Sequence, residues 1–287
     1  VLGFRIGALA VAVSAATLLT SCSSADGGRS LAAGDAFPRT TVVADSSSPG
    51  SNNSLTSTRG TKTSLASLDL DDAVANLEDE YDVEIGVALY TPKTQYFAGS
   101  LKTLPAWSTI KVPLTLVAEA HCDINERSRE NLIRASLEWS DNDAAWRLFK
   151  CEGISEEQAR SKIENVIARA SPGVEVPDAY GMTDWTFKDQ AKFGYYLSRL
   201  PENVLTVDAM YEVVEEQRWG LGEIDDAAFK GGWSDDDDGS FHSRQFGFVE
   251  LDGTVYGIAL GARSESGSEK DSQDALSDLA TELGTVG

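Results

Sequence analysis

The sequence predicts an α+β domain built on one mainly antiparallel sheet, occupying residues 65–287. Three observations carry this. Two alternating apolar segments open the domain, a long helix-patterned block fills its middle, and three strand-patterned segments close it. Strands gathered at both ends of a domain, with helices between them, pair most simply in one antiparallel sheet. Asp252-Gly253 joins the last two strand segments, and that dipeptide is a strong two-residue hairpin signal.

Taken in order, Leu70, Ala73, Val74 and Leu77 share one face at 3.6-residue spacing, so residues 65–81 are expected to be a helix. A strand is expected over Val83–Tyr90, a turn at Thr91-Pro92-Lys93-Thr94, and a returning strand over Gln95–Ala98. Helices are expected from about Ser108 to His121, Ser128 to Trp139 and Asn142 to Lys150. Ser155-x-x-Gln158 reads as a capping box that opens a fourth helix. A loop with Pro172, Gly173 and Pro177 leads to helices near Thr186 and over Val207–Glu215. Strands follow at Ala227–Trp233, Arg244–Leu251 and Thr254–Ala262, and a last helix runs from about Lys270 to Gly284.

The chain of 287 residues has 24 Lys+Arg against 46 Asp+Glu, three Cys and two His, for a net charge of −22. A nucleic acid is excluded as main partner, because a phosphate backbone needs a basic surface. Two His and three Cys are too few for a zinc cluster or haem site, and no metal or cofactor is expected.

The N-terminus carries a different message. Arg5 precedes an apolar run of 14 residues, Ile6–Leu19, which is short for a bilayer span and right for a signal-peptide core. Leu19-Thr20-Ser21-Cys22 resembles a bacterial lipobox, which implies residues 1–21 as signal peptide and lipid attachment at Cys22. The expected location is the extracytoplasmic face of the cell membrane, held by acyl chains rather than by a spanning helix. Residues 23–62 contain 21 Ser, Thr, Gly or Pro among 40, so residues 22–64 are expected to be the lipidated Cys and a tether reaching on the order of 35 Å. Only Arg5, Arg29, Arg39, Arg59, Lys62, Asp26, Asp35 and Asp45 are charged in that region, so the acidity belongs to the domain. Cys122 and Cys151 then remain as an even pair in an oxidising compartment, either one disulfide or two separately buried thiols.

Three short segments bear chemistry. In Ser108-Thr109-Ile110-Lys111 the Ser and Lys stand one helical turn apart on one face, and a desolvated amine there can activate the hydroxyl. The helix start adds backbone N–H groups for a developing oxyanion. A capping Ser with a surface Lys is the plainer alternative. Ser140-Asp141-Asn142 joins two helices: Ser140 can relay a proton and Asn142 can hold a substrate carbonyl and Lys111, or the three are simply a helix cap. Lys230-Gly231-Gly232 ends a strand, where glycines admit a substrate to the backbone and the Lys adds charge, or where the strand bulges.

The ordered set, on helix, loop and late strand, resembles the penicillin-recognising serine enzymes, most closely class A β-lactamases, with penicillin-binding proteins as cousins. The resemblance implies an α/β sandwich beside an all-helical region, with the site in the cleft between them. It implies Ser108 as the acylated nucleophile, Lys111 as its base or base partner, and Ser140 as proton relay. Asn142 and Lys230 become substrate contacts with Gly231 and Gly232, and the N–H groups of Ser108 and Trp233 the oxyanion hole. The expected partner is a small-molecule or peptide-like acyl substrate, taken by a monomer.

The chain departs from that pattern in three places. Ser140 follows Ser108 by 32 residues, about half the class A separation, which brings the helix ends at Cys122 and Cys151 together and favours the disulfide. Glu175 is the candidate deacylating base, but its loop is short and Val176–Ala179 do not match the family signature. Gly231 replaces the usual Thr. Acylation is therefore expected and deacylation is expected to be slow. Asp235–Asp238 place four acids beside the cleft, which disfavours anionic substrates unless Arg244 or His242 compensates. The alternative is a catalytically weak or inactive envelope lipoprotein of the same fold, with a binding or scaffold role.

Overall fold

A computed structural model describes Leu65 and residues 68–286 apart from 152 and 202. The expected signal peptide, the lipidation expected at Cys22 and the whole of the expected tether, residues 22–64, lie outside the described residues. Among the described residues no helix is long and apolar enough to cross a membrane.

The main sheet has five strands: β1 (Val83–Tyr90), β2 (Gln95–Ala98), β5 (Ala228–Asp235), β6 (Phe241–Leu251) and β7 (Thr254–Ser264). Their order is β2-β1-β7-β6-β5, antiparallel throughout. The first and last segments of the domain thus meet at the β1–β7 pair, with Gly86 opposite Gly261 and Ala88 opposite Ala259. Asp252 (φ 49°) and Gly253 (φ 68°) both adopt the left-handed conformation that a tight β6–β7 hairpin demands. A separate two-stranded ribbon pairs β3 (Thr103–Pro105) with β4 (Asp184–Thr186), neither of them expected from the sequence.

One face of the sheet is covered by α1 (Leu70–Tyr81) and α8 (Glu269–Gly284), which bury Val74, Leu77, Leu276, Leu279 and Leu283 against Ile85, Val87, Phe229 and Leu260. The helix expected from residue 65 starts at Leu70 because Asp69 caps it, its carboxylate accepting from Asp72 N at 3.2 Å. The other face meets α6 (Phe187–Leu197) at unusually short range. A Cβ on Gly194 would stand 1.9 Å from Gly247 O, and one on Gly257 1.9 Å from Ala191 O. No residue with a side chain fits at either place, so the two backbones lie in direct contact.

Beyond α6 lies the all-helical part: α2 (Lys111–His121), α3 (Glu126–Glu138), α4 (Asn142–Phe149), α5 (Glu156–Ile167) and α7 (Leu205–Tyr211). These share a core with α6 that includes Ile110, Leu114, Ile133, Leu137, Leu148, Ile163 and Phe193. Ser155 and Gln158 form both halves of the expected capping box, at 3.2 and 2.9 Å. Helix α7 begins at Leu205 and ends at Tyr211, earlier than the sequence suggests. Its first turn is fixed by Glu119, whose carboxylate accepts from Leu205 N, Thr206 N and Thr206 Oγ1.

Cys122, at the end of α2, and Cys151, just after α4, are joined by a disulfide with Cα atoms 5.6 Å apart. It closes a loop of 29 residues, for which chain entropy gives about 3–4 kcal/mol of stabilisation. Reduction is therefore expected to lower the thermal midpoint by about 6–15 °C in a domain of this size. The check is a melt with and without reductant, thiol alkylation establishing that the bond is open; an unchanged midpoint would refute it.

Candidate active site

Ser108 sits on a 3-10 turn, Trp107–Ile110, rather than on the first α-helical turn, and α2 continues from Lys111. Residues three apart eclipse in a 3-10 turn, so Ser108 and Lys111 remain on one face. The turn is anchored at both ends: Ala106 N donates to Thr183 O at 2.8 Å, and Thr109 N to Ala106 O at 3.0 Å. Trp107 is held at φ 47°, a conformation costly for a bulky L-residue, immediately before the serine. Ser108 is half-buried, and among the described residues its hydroxyl makes no hydrogen bond.

The Lys111 side chain is buried, and its Nζ donates to Ser140 O at 2.6 Å, to Asn142 Oδ1 at 2.7 Å and to Ser140 Oγ at 3.2 Å. Burial lowers its ammonium to about 8, against the pull of the Asp141 carboxylate. From the opposite side Lys230, fully buried on β5, donates to Ser140 Oγ at 3.0 Å and to Gly231 O at 2.9 Å. Burial and then the neighbouring Lys111 charge hold it well below the ordinary lysine range. One hydroxyl thus lies between two amines from separate elements. Ser140 is itself in the left-handed region, φ 56°, so both flanks of the site carry backbone strain. Asp141 caps α4, accepting from Ala144 N at 2.9 Å, which makes the segment both a helix cap and a set of site ligands.

Strand β5 is the edge of the sheet and runs past the serine turn. A Cβ on Gly232 would fall 2.8 Å from Ser108 N and 3.0 Å from Ala106 O, so glycine is what lets the strand backbone close on the turn. Gly231 has a different surrounding: its Cβ position lies 3.4 Å from the Trp219 ring and 3.5 Å from the Trp233 ring. Trp219 and Trp233 pack edge to face, 6.2 Å between centroids. Gln245, opposite Gly231, fixes the Trp219 segment by donating to Trp219 O at 2.6 Å and accepting from Leu221 N at 2.6 Å.

The structure therefore brings Ser108, Lys111, Ser140, Asn142, Lys230, Gly231, Gly232 and Trp233 together. It leaves Glu175 on the surface, with no hydrogen bond or ion pair to any of them among the described residues. The nearby loop is held instead through Glu164, which accepts from Val176 N at 2.9 Å.

Arg244 does not serve the cleft. It is fully buried, and its guanidinium donates to Leu104 O, to Pro105 O at 3.0 Å, to Trp185 O at 2.9 Å and to Gln190 Oε1 at 2.6 Å. Burial lowers it to about 9, against the pull of Asp184, so it stays charged at neutral pH. Gln190 in turn donates to Thr109 Oγ1 at 2.9 Å, and Thr109 Oγ1 to Ala106 O. A hydrogen-bonded chain thus runs from the sheet through α6 to the serine turn. The sequence reading passes over Gln190; the signal available for it is a polar residue on the helix face of Phe187, Ala191 and Gly194.

His242 is buried beside Asp236 (3.7 Å) and Ser240 (3.3 Å), and burial lowers its imidazole below the ordinary value. The acidic run is a structured β5–β6 turn. Asp238 accepts from Ser240 N at 2.9 Å, Ser240 Oγ at 2.6 Å and Arg263 at 2.7 Å, which hold its carboxyl well below the usual range. Among the described residues no group of three His, Cys, Asp or Glu side chains is arranged to hold a metal ion.

No protein-family model matches the chain, and no curated protein matches it. Solved structures do. The TLA-3 extended-spectrum β-lactamase superposes with TM-score 0.57 at 16% identity, over 75% of this chain and 97% of that one. A β-lactamase from Chitinophaga pinensis gives 0.59 at 16% identity, over 75% and 98%. A class A β-lactamase from Bacteroides cellulosilyticus gives 0.57 at 12% identity, over 75% and 96%. At these identities the likeness establishes a β-lactamase-like fold.

Proposed function

We propose that the protein is an exported serine hydrolase or acyltransferase that forms an acyl-enzyme on Ser108. The observation that carries this reading is the Ser140 hydroxyl held by Lys111 and Lys230 beside an unbonded Ser108. When Lys111 is neutral its two N–H groups stay with Ser140 O and Asn142 Oδ1, and its lone pair is free for the Ser108 proton. Ser140 accepts from Lys230 and keeps its own proton for the leaving group, to be replaced from Lys111. The Ser108 Oγ proton passes to Lys111 as the Oγ–carbon bond forms. The substrate carbon–nitrogen or carbon–oxygen bond then breaks, and the leaving group takes a proton through Ser140. The N–H groups of Ser108 and Trp233 stabilise the oxyanion. Water or an amine then removes the acyl group. The exposed position of Glu175 supports slow deacylation, with β-lactams or cell-wall-peptide-like amides as substrates. Lipid on Cys22 would keep this chemistry at the membrane.

A fluorophosphonate reports on the first step, since attack by Ser108 Oγ forms an O–P bond and expels fluoride. One adduct per chain is expected by intact mass, mapped to the peptide bearing Ser108. Absence of any adduct would favour the second reading, a β-lactamase-fold protein with a binding or scaffold role.

A further inference from the structure

We propose that the acyl group accepted by Ser108 carries an uncharged aromatic side group seated on Trp219 and Trp233 beside Gly231, and that a carboxylate at that place is rejected. This rests on the acyl-enzyme reading above and names its substrate class.

The seat is defined by geometry. Gly232 stacks on the Ser108 turn, so its neighbours Gly231 and Trp233 are one residue from the reacting centre along β5. The Lys230 ammonium is 5.8 Å from the centroid of the Trp233 ring while it bonds to Ser140. The indole of Trp219 lies 3.4 Å from where a Gly231 Cβ would be, at contact distance from the strand backbone there. The place is walled by two aromatic rings at 79° to each other, both partly exposed, and a third ring can pack on such faces and edges in offset or edge-to-face geometry. The wall is fixed rather than adaptable. Gln245 bonds to Trp219 O and Leu221 N, and Gln217 Nε2 donates to Trp139 O at 3.1 Å, tying the segment to the residue before Ser140.

Charge argues in the same direction. A carboxylate beside these rings would lose water and need a cation in exchange. Lys111 has three acceptors and Lys230 two, all within the site. Arg244 is turned away to carbonyls of the β3–β4 ribbon, and Arg218 lies over the Phe229 ring at 5.6 Å. The exposed charges flanking these segments are acids: Asp141 and Asp143 around Asn142, Glu215 and Glu216 before Trp219, and Asp235 at the end of β5. The face of an indole is itself electron-rich and repels anions.

The test uses the full domain and p-nitrophenyl esters of phenylacetic acid, 4-carboxyphenylacetic acid and acetic acid, with acylation followed as the p-nitrophenolate burst and the adduct located on Ser108. The phenylacetyl ester is expected to acylate about 10-fold faster than its 4-carboxy counterpart, with the gap narrowing at high salt as charge screening rises. Trp219→Ala is expected to erase most of the advantage of phenylacetyl over acetyl while the folded far-UV spectrum is kept. Equal or faster acylation by the carboxy ester would overturn the proposal, as would no acylation by the phenylacetyl ester in a protein that a fluorophosphonate labels. Failure of the fluorophosphonate itself would instead remove the acyl-enzyme reading, and this inference with it.

Discussion

Replacing Lys111 with Met is expected to slow acylation of Ser108 by about 10²–10⁴-fold, the range a positioned base supplies, while leaving the domain folded. Met matches the apolar stem and fills the buried space, and the ammonium it removes was costly to bury. What disappears is the amine that contacts Ser140 and Asn142. The pH profile tests the assignment independently. Only the neutral amine accepts a proton, so with an ammonium lowered to about 8 the acylation rate should rise with pH and level off above that value. In Lys111→Met that rise should vanish. A variant that acylates within a few-fold of the parent, or keeps the rise, would show that another group is the base.

Arg244→Met is expected to cost about 3–5 kcal/mol of stability, because four acceptors lose their donor inside the protein, each worth about 1–3 kcal/mol when stranded. Relief from burying the guanidinium offsets part of that loss. For a domain of this size the thermal midpoint should fall by about 6–20 °C. Arg244→Lys should recover little, since one ammonium cannot span acceptors on the β3–β4 ribbon and on α6 together. Gln190→Met is the milder companion: it cuts the link to Thr109 and should slow acylation more than it lowers the midpoint. A small midpoint change in Arg244→Met would mean that the ribbon is held mainly by packing.

The sheet was readable because its strands are long and alternate or are bounded by turn residues, and the helices because their apolar faces recur at 3.6. The β3–β4 ribbon escaped notice because three-residue strands, one ending in Pro105, carry no period to detect. The helix expected from Ser108 begins at Lys111, because Ser108 lies on a 3-10 turn that depends on tertiary bonds to Thr183 and Gln190 that no local pattern reveals. The same holds for Arg244. On sequence grounds it was a candidate to offset acidity near the cleft, but its partners come from segments 54 to 140 residues away. The three motifs name residues that the fold brings together; the aromatic pair around Gly231 required the register of β5 against β6 and the bonds of Gln245.

An unpaired sheet edge invites a second chain to add to it, and β5 is such an edge, with two glycines offering little side-chain obstruction. Its far end passes straight into Asp235–Asp238, and Arg263 neutralises only Asp238 among these. A second copy added to β5 in the parallel sense would bring those carboxylates side by side. Charge at the end of β5 is therefore expected to oppose that mode of strand addition, while Gly232 keeps the middle of the strand closed on the serine turn.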